Sequence, residues 1–272
     1  MLPKIGFSLQ AQYDRPICDV ISLLQKAGFS AVSPTWTSGS DLATIAACTQ
    51  EQDMTIQTLH APPKGIPVLW QEDETQSAEL LGTFLKCIDM CEQFRIPTLV
   101  IHGWQGHNYR FPEEPLYFGN FDRIVNHARA KGVAVAFENL EGEEYLMALM
   151  ERYPDAGFCW DSGHDSCYPH KTDFLKEFGH RLIMTHLNDN LGPGDPSVPL
   201  SSAVDKHYLP FDGNLNWDDC IRRLKTAKKQ SILNFEFKIK PNDRYAHLPL
   251  DAFIALAGSR ALQIAERYAT II

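Results

Sequence analysis

The 272 residues carry 34 Asp and Glu against 25 Lys and Arg, a formal net charge of -9, with 44% apolar side chains. That balance disfavours a polyanionic partner or an anionic membrane surface, so neither nucleic acid nor membrane is expected to bind. No apolar stretch reaches membrane-spanning length, and the opening MLPKIGFSLQ lacks a signal-peptide layout, so a cytoplasmic protein is expected. Seven cysteines, an odd number without a CxxC pair, are expected as free thiols in a reducing compartment.

Short β-rich runs then alternate with helical patterns along the chain. KIGFSL (4–9) precedes the helical ICDVISLLQKAG, and FSAVSP (29–34) precedes DLATIAACTQEQ. MTIQTLH (54–60) leads to the long helical segment 75–94, where Cys87 and Cys91 read as core thiols. PTLVIHG (97–103) is followed by DRIVNHARAKG, VAVAFEN (133–139) by EEYLMALMERY, and AGFCWD (156–161) by the turn-like WDSGH. RLIMTHL (181–187) leads to WDDCIRRLKTAKK, and ILNFEFK (232–238) to a last helix, LDAFIALAGSRALQIAERYA. The strand runs are apolar on both parities, as parallel strands buried on both faces require. Glycines in KAGFSAV and RAKGVAV stop helices before strands. Lys225, Lys228 and Lys229 are expected in the last turn of a helix, as a solvated face.

Eight strand–helix units in this length predict an α/β fold, a single (β/α)8 TIM barrel over residues 1–272. Two loops exceed the usual length, 103–113 and 188–214, and both leave the C-terminal ends of strands, the face on which barrel active sites are built.

Those strand ends share a chemistry. The third ends in His60, the fourth in His102, the fifth in Glu138, and the sixth in Asp161 with His164 beyond. The seventh ends in His186, followed by Asp189, and the eighth carries Glu236; the long loop adds Asp205 and His207. One histidine at a strand end is more often a hydrogen-bonded structural residue than a ligand. Two glutamates, an aspartate and a histidine converging on one mouth would repel one another unless a cation or shared protons relieved them. The expected metal ligands are therefore Glu138, Asp161, His186 and Glu236. A carboxylate-rich set with one imidazole suits a divalent ion such as Mn, Zn, Co or Mg; no nucleotide cofactor is expected. Glu138 and Glu236 are the candidate catalytic acid and base, moving protons on a hydroxy-ketone through a metal-stabilised enediolate. Trp36 and Trp104 are candidate walls for a sugar face, Lys238 a candidate contact for a substrate oxyanion or phosphate, and Phe7 a candidate for the pocket floor. His107 sits in the loop after the fourth strand; His127, His170, His180 and His247 read as surface or structural.

In FENLEG, WDSGHD, THLNDN and DKHYLPFDGNLNW the chain resembles the xylose isomerase-like TIM-barrel superfamily, over nearly its whole length. That superfamily contains sugar isomerases and epimerases, inosose dehydratases and the endonuclease IV family. The last phrase most resembles the sugar phosphate isomerase/epimerase group. The resemblance implies a small sugar or sugar-phosphate substrate, with His164 contacting it beside the metal; His60 and His102, at their strand ends, are further candidate substrate contacts. A homo-oligomer is compatible with the sequence but not fixed by it. Ketohexose 3-epimerases of the superfamily carry an Arg six residues after the metal-binding His; here Gly192 stands there, which counts against that one activity.

The full ligand set of the endonuclease IV family also finds matches, which makes His164, Asp205 and His207 a candidate second metal cluster. A zinc phosphodiesterase acting on abasic DNA is therefore one alternative, and an inosose dehydratase-like lyase another; a barrel that only binds a sugar is a further one. Against the nuclease stand the acidic balance, the absence of an Arg and Lys cluster in APPKGIPVLW after His60, and YLPFDGNLNW after His207.

Overall fold

The computed structural model describes residues 2–10, 13–107, 109–194, 197, 199–238 and 244–271. Nine strands and nine α-helices are assigned among them. In chain order they run β1 (Lys4–Leu9), α1 (Ile17–Lys26), β2 (Ala31–Pro34), α2 (Gly39–Glu51), β3 (Thr55–Ile56) and β4 (Leu59–His60). Next come α3 (Glu74–Gln93), β5 (Thr98–His102), α4 (Gly119–Ala130), β6 (Ala134–Glu138), α5 (Glu143–Arg152) and β7 (Gly157–Asp161). Then follow α6 (Ser162–Cys167), α7 (Phe174–Phe178), β8 (Leu182–His186), α8 (Trp217–Thr226), β9 (Ile232–Phe235) and α9 (Leu250–Thr270).

All strand pairs are parallel, in two arcs ordered β3-β2-β1-β9 and β4-β5-β6-β7-β8. Bridges between Thr35 and His60 and between Leu187 and Phe235 join the arcs into a closed barrel. The expected third strand is thus present as two short pieces, β3 and β4, interrupted at Gln57 and Thr58. No described helix is long and apolar enough to cross a membrane.

The two faces of the strands do different work. Leu99, Ile101, Val135, Phe137, Phe158 and Trp160 belong to the main buried cluster shared with the helices. On the opposite parity Val100, Ala136, Cys159 and Met184 form a small separate cluster inside the barrel. Two residues further along the same strands, on the same face, stand His102, Glu138, Asp161 and His186. The lumen is therefore apolar in one layer and ionisable in the next. Gly28 and Gly132, at φ +96° and +68°, turn the chain from α1 and α4 into the next strand without a Cβ penalty.

Four expectations need correction. Cys18 and Cys48 form a disulfide between α1 and α2, with Cα atoms 5.2 Å apart, so seven free thiols become five. Lys228 and Lys229 lie beyond α8, which stops at Thr226. WDSGH is not a bare turn: Ser162–Cys167 form a short helix, capped by the Asp161 side chain accepting from the His164 N–H. Phe7 points away from the lumen, its ring 5.3 Å from that of Phe29 and 6.1 Å from that of Phe237. Ser8 and Leu9, not Phe7, are the β1 residues that line the cavity.

Candidate active site

A cavity of about 660 Å³ opens at the C-terminal end of the strands. His60, His102, His164, Asp205, His207 and Glu236 all line it. Glu138 lies at its base, only 1% exposed. His60 Nε2 and His102 Nε2 approach Glu138 Oε2 at 3.2 and 3.4 Å. His186 Nδ1 and His164 Nδ1 approach Oε1 at 2.8 and 3.5 Å. Four imidazoles therefore crowd one buried carboxylate. His186 Nδ1 also lies 3.4 Å from Glu236 Oε2, so the two glutamates meet at one ring nitrogen.

Asp161, fully buried, is fixed from several sides. Asn188 Nδ2 donates to both its carboxylate oxygens, at 3.1 and 2.9 Å. Asn139 clamps its backbone, donating to the Asp161 carbonyl at 2.9 Å and accepting its N–H at 2.8 Å. The Asn139 carbonyl in turn faces His164 Nδ1 at 2.9 Å, which sets that ring's orientation.

A second group sits beside this one. Asp205 Oδ2 is 2.7 Å from His207 Nε2 and 3.6 Å from His164 Nε2. Lys238 Nζ also lies 2.7 Å from His207 Nε2 and 3.8 Å from Glu236 Oε1. One ring nitrogen cannot donate to Asp205 and accept from Lys238 at the same time. Such a conflict is resolved when that nitrogen's lone pair is given to a cation and the lysine turns to other acceptors.

The protonation of these groups follows from burial against neighbours. Burial alone would raise the Glu138 carboxyl, but charge on His186 and hydrogen bonds from His102, His186 and His60 hold it well below the usual range. Glu236 is likewise opposed by burial and brought down to about 2 by Lys238, His207 and His186. Asp161 moves the other way, because burial outweighs the neighbouring imidazoles. Burial would lower His164, yet Asp161 and Asp205 lift it to about 10. His186 is raised well above its ordinary value against burial, by Cys159, Glu138 and Glu236. Burial wins at His102, which is lowered.

Three sets of donor atoms converge within 4.8 Å: His60, Glu138 and His186; Glu138, Asp161, His186 and Glu236; and His164, Asp205 and His207. The second and third are the sets expected from the sequence. The nitrogen and oxygen donors, their burial and their convergence fit divalent metal ions.

Lys238 and His107 also reach the cavity wall. Neither tryptophan is among the described residues that line it. Trp36 packs against the core with Lys86 Nζ 5.9 Å from its ring. Trp104 stacks on Tyr145 at 4.2 Å and donates its indole N–H to Gly106. Asp189 is a structural residue: its Oδ1 accepts from the N–H groups of Asn190 and Leu215, its Oδ2 from Phe211 N–H and Trp217 Nε1.

Sequence reasoning passed over Asn139, Glu141, Tyr168 and Asn188. Three of them stand in quoted motifs, FENLEG and THLNDN: Asn139 and Glu141 fall off the parity of Glu138, while Asn188 keeps the parity of His186 but lies past the end of β8.

An eight-stranded parallel barrel with buried imidazoles and carboxylates at its C-terminal mouth defines a metal-capable TIM barrel. Residues 21–252 match the family model described as xylose isomerase-like TIM barrel, and the chain belongs to that family. The uncharacterised protein y4fM of Sinorhizobium fredii is 33% identical over 201 residues, 67% of this chain. The match spans 59% of that relative's length. Among solved structures, the IolI protein with a bound zinc atom superposes with a TM-score of 0.76 at 17% identity, over 97% of this chain and 99% of that one. A D-allulose 3-epimerase from Methylomonas sp. gives 0.71 at 14% identity over 98% of each chain. D-psicose 3-epimerase from Clostridium cellulolyticum H10, solved with D-tagatose, gives 0.66 at 12% identity over 98% and 99%. At such identities the likeness establishes the barrel alone.

Proposed function

We propose that the chain is a divalent-metal-dependent isomerase or epimerase acting on a small sugar or keto-polyol. The observation that carries this reading is the approach of Glu138 and Glu236 to the same His186 nitrogen, at 2.8 and 3.4 Å. Two carboxylates that close, one fully buried and one lining the cavity, form an acid/base pair that can serve neighbouring positions on one substrate. Glu138, Asp161, His186 and Glu236 would hold the ion, which supplies Lewis acidity to a substrate carbonyl.

Glu236 lines the cavity, so it is the member within reach of a proton on a carbon next to that carbonyl. Lys238 at 3.8 Å steadies its charge. Glu138, held by four imidazoles, fixes the ligand geometry and completes the pair. His60, His102 and His164 face the cavity and are placed to bind substrate oxygens. Release of deuterium from the α-carbon of a ketose or inosose in ordinary water tests the reading. Glu236→Gln should lower it by orders of magnitude, and exchange at the wild-type rate in that variant would remove Glu236 from the acid/base role.

The cluster of His164, Asp205 and His207 favours one other reading, hydrolysis of a phosphate ester on more than one metal. Nicking of abasic-site duplex DNA by the metal-loaded protein would promote it over the isomerase.

A further inference from the structure

Glu141 belongs to none of the ligand groups, yet it lines the same cavity. It follows Glu138 by three residues and is 7% exposed. Its Oε1 accepts the Gly106 N–H at 2.6 Å, while its Oε2 is buried and accepts no hydrogen bond among the described residues. The nearest basic atom is His107 Nδ1, 4.0 Å from Oε1. A carboxylate withdrawn from water without a cation is costly until donors complete its acceptor sites. Tyr168 connects this wall to the metal centre, its ring 5.8 Å from that of His107 and 5.5 Å from that of His164.

The charges around the cavity are uneven. Among the described lining residues the only Lys and Arg side chains are Lys64, which is exposed, and Lys238. Lys238 is already engaged with His207 and Glu236. Among the described lining residues no guanidinium fork is offered to a phosphate. A phosphate brought against Glu141 would meet a like charge out of water, whereas sugar hydroxyls would bring the donors that this carboxylate lacks.

We propose that Glu141 is a substrate-binding residue that accepts the hydroxyl hydrogens of an uncharged polyol or keto-sugar and excludes phosphate esters from that side of the cavity. The proposal rests on the sugar isomerase or epimerase reading and narrows its substrate class.

The test is calorimetric titration of the full chain, loaded with zinc, against ketopentoses, ketohexoses and inososes, each beside its phosphate monoester. Glu141→Gln keeps the size of the side chain and an acceptor for Gly106 while removing the charge. Neutral members should bind the wild type more tightly than their phosphates, and E141Q should weaken neutral binding about tenfold or more while strengthening the phosphates. Zinc content and melting temperature should be unchanged. A residue that only holds the loop would weaken both series equally, and that result overturns the proposal. Phosphates binding the wild type as tightly as their neutral partners would overturn it while leaving the sugar-enzyme reading standing. If no member of either series bound, both would fall.

Discussion

Asn188 gives one side-chain nitrogen to both carboxylate oxygens of Asp161, at 3.1 and 2.9 Å. The pairing explains Gly163 as well: a Cβ there would lie 1.8 Å from Asn188 Oδ1. A residue that orients a metal ligand is expected to matter almost as much as the ligand. Asn188→Ala should weaken zinc binding about 10–100-fold, read by competition with a chromogenic chelator. Gly163→Ala should reproduce much of that loss by pushing Asn188 aside. Unchanged affinity in both variants would mean that Asp161 holds no metal.

The two glutamates should respond differently to amide substitution. Glu236→Gln removes the proposed cavity-lining base and one proposed ligand, and should lower α-proton exchange by about 10²–10⁴-fold while the fold persists. Glu138→Gln removes the acceptor on which four imidazoles converge, leaving His186 and its neighbours without their counter-charge. It should lose metal as well as activity and melt several degrees lower. A Glu138→Gln variant with full metal content and full stability would contradict this division.

Metal binding should release protons. His186 is raised well above its ordinary value, and His164 is raised from 6.5 to about 10, so both rings carry protons at neutral pH when no metal is bound. A ring must be neutral to ligate. Apparent zinc affinity should therefore rise with pH through and above neutrality. The stability that His164 lends the metal-free protein has the opposite sense: it is complete below about 6.5 and lost as pH rises through about 10. Calorimetry of zinc binding in buffers of different ionisation enthalpy checks the release, and an enthalpy independent of buffer would contradict it.

Much of this was legible in the sequence because a parallel barrel is written in a repeating pattern. Apolar runs place the strands, and the ionisable residue at each strand end falls on the lumen side by alternation alone. Glu138, Asp161, His186 and Glu236 were found that way, and the structure gathers them within 4.8 Å. What depends on how loops close was not legible. Trp36 and Trp104 have the right chemistry and the right loops, but turn toward Lys86 and Tyr145. Glu141 and Asn188 lie two or three residues past the ends of β6 and β8, where no strand period says which way a side chain faces. The Cys18–Cys48 bridge joins two helices whose packing brings 30 residues of separation down to 5.2 Å between Cα atoms.

Asp189 separates structural from functional carboxylates at this mouth. It stands three residues after the candidate ligand His186 and is fully buried, as a ligand would be. Yet both its oxygens are occupied by protein donors: Asn190 and Leu215 N–H on one, Phe211 N–H and the Trp217 indole on the other. It pins the 188–214 loop, which carries Asp205 and His207, to the start of α8. Truncation would leave those donors buried without an acceptor, each costing about 1–3 kcal/mol. Asp189→Ala should therefore lower stability by several kcal/mol on that scale and loosen His207, weakening the second metal group more than the first. Asp189→Asn keeps one acceptor oxygen and should fall between the two. Denaturant unfolding gives the stability, and zinc stoichiometry gives the site. Loss of zinc from both groups at unchanged stability would instead make Asp189 a ligand.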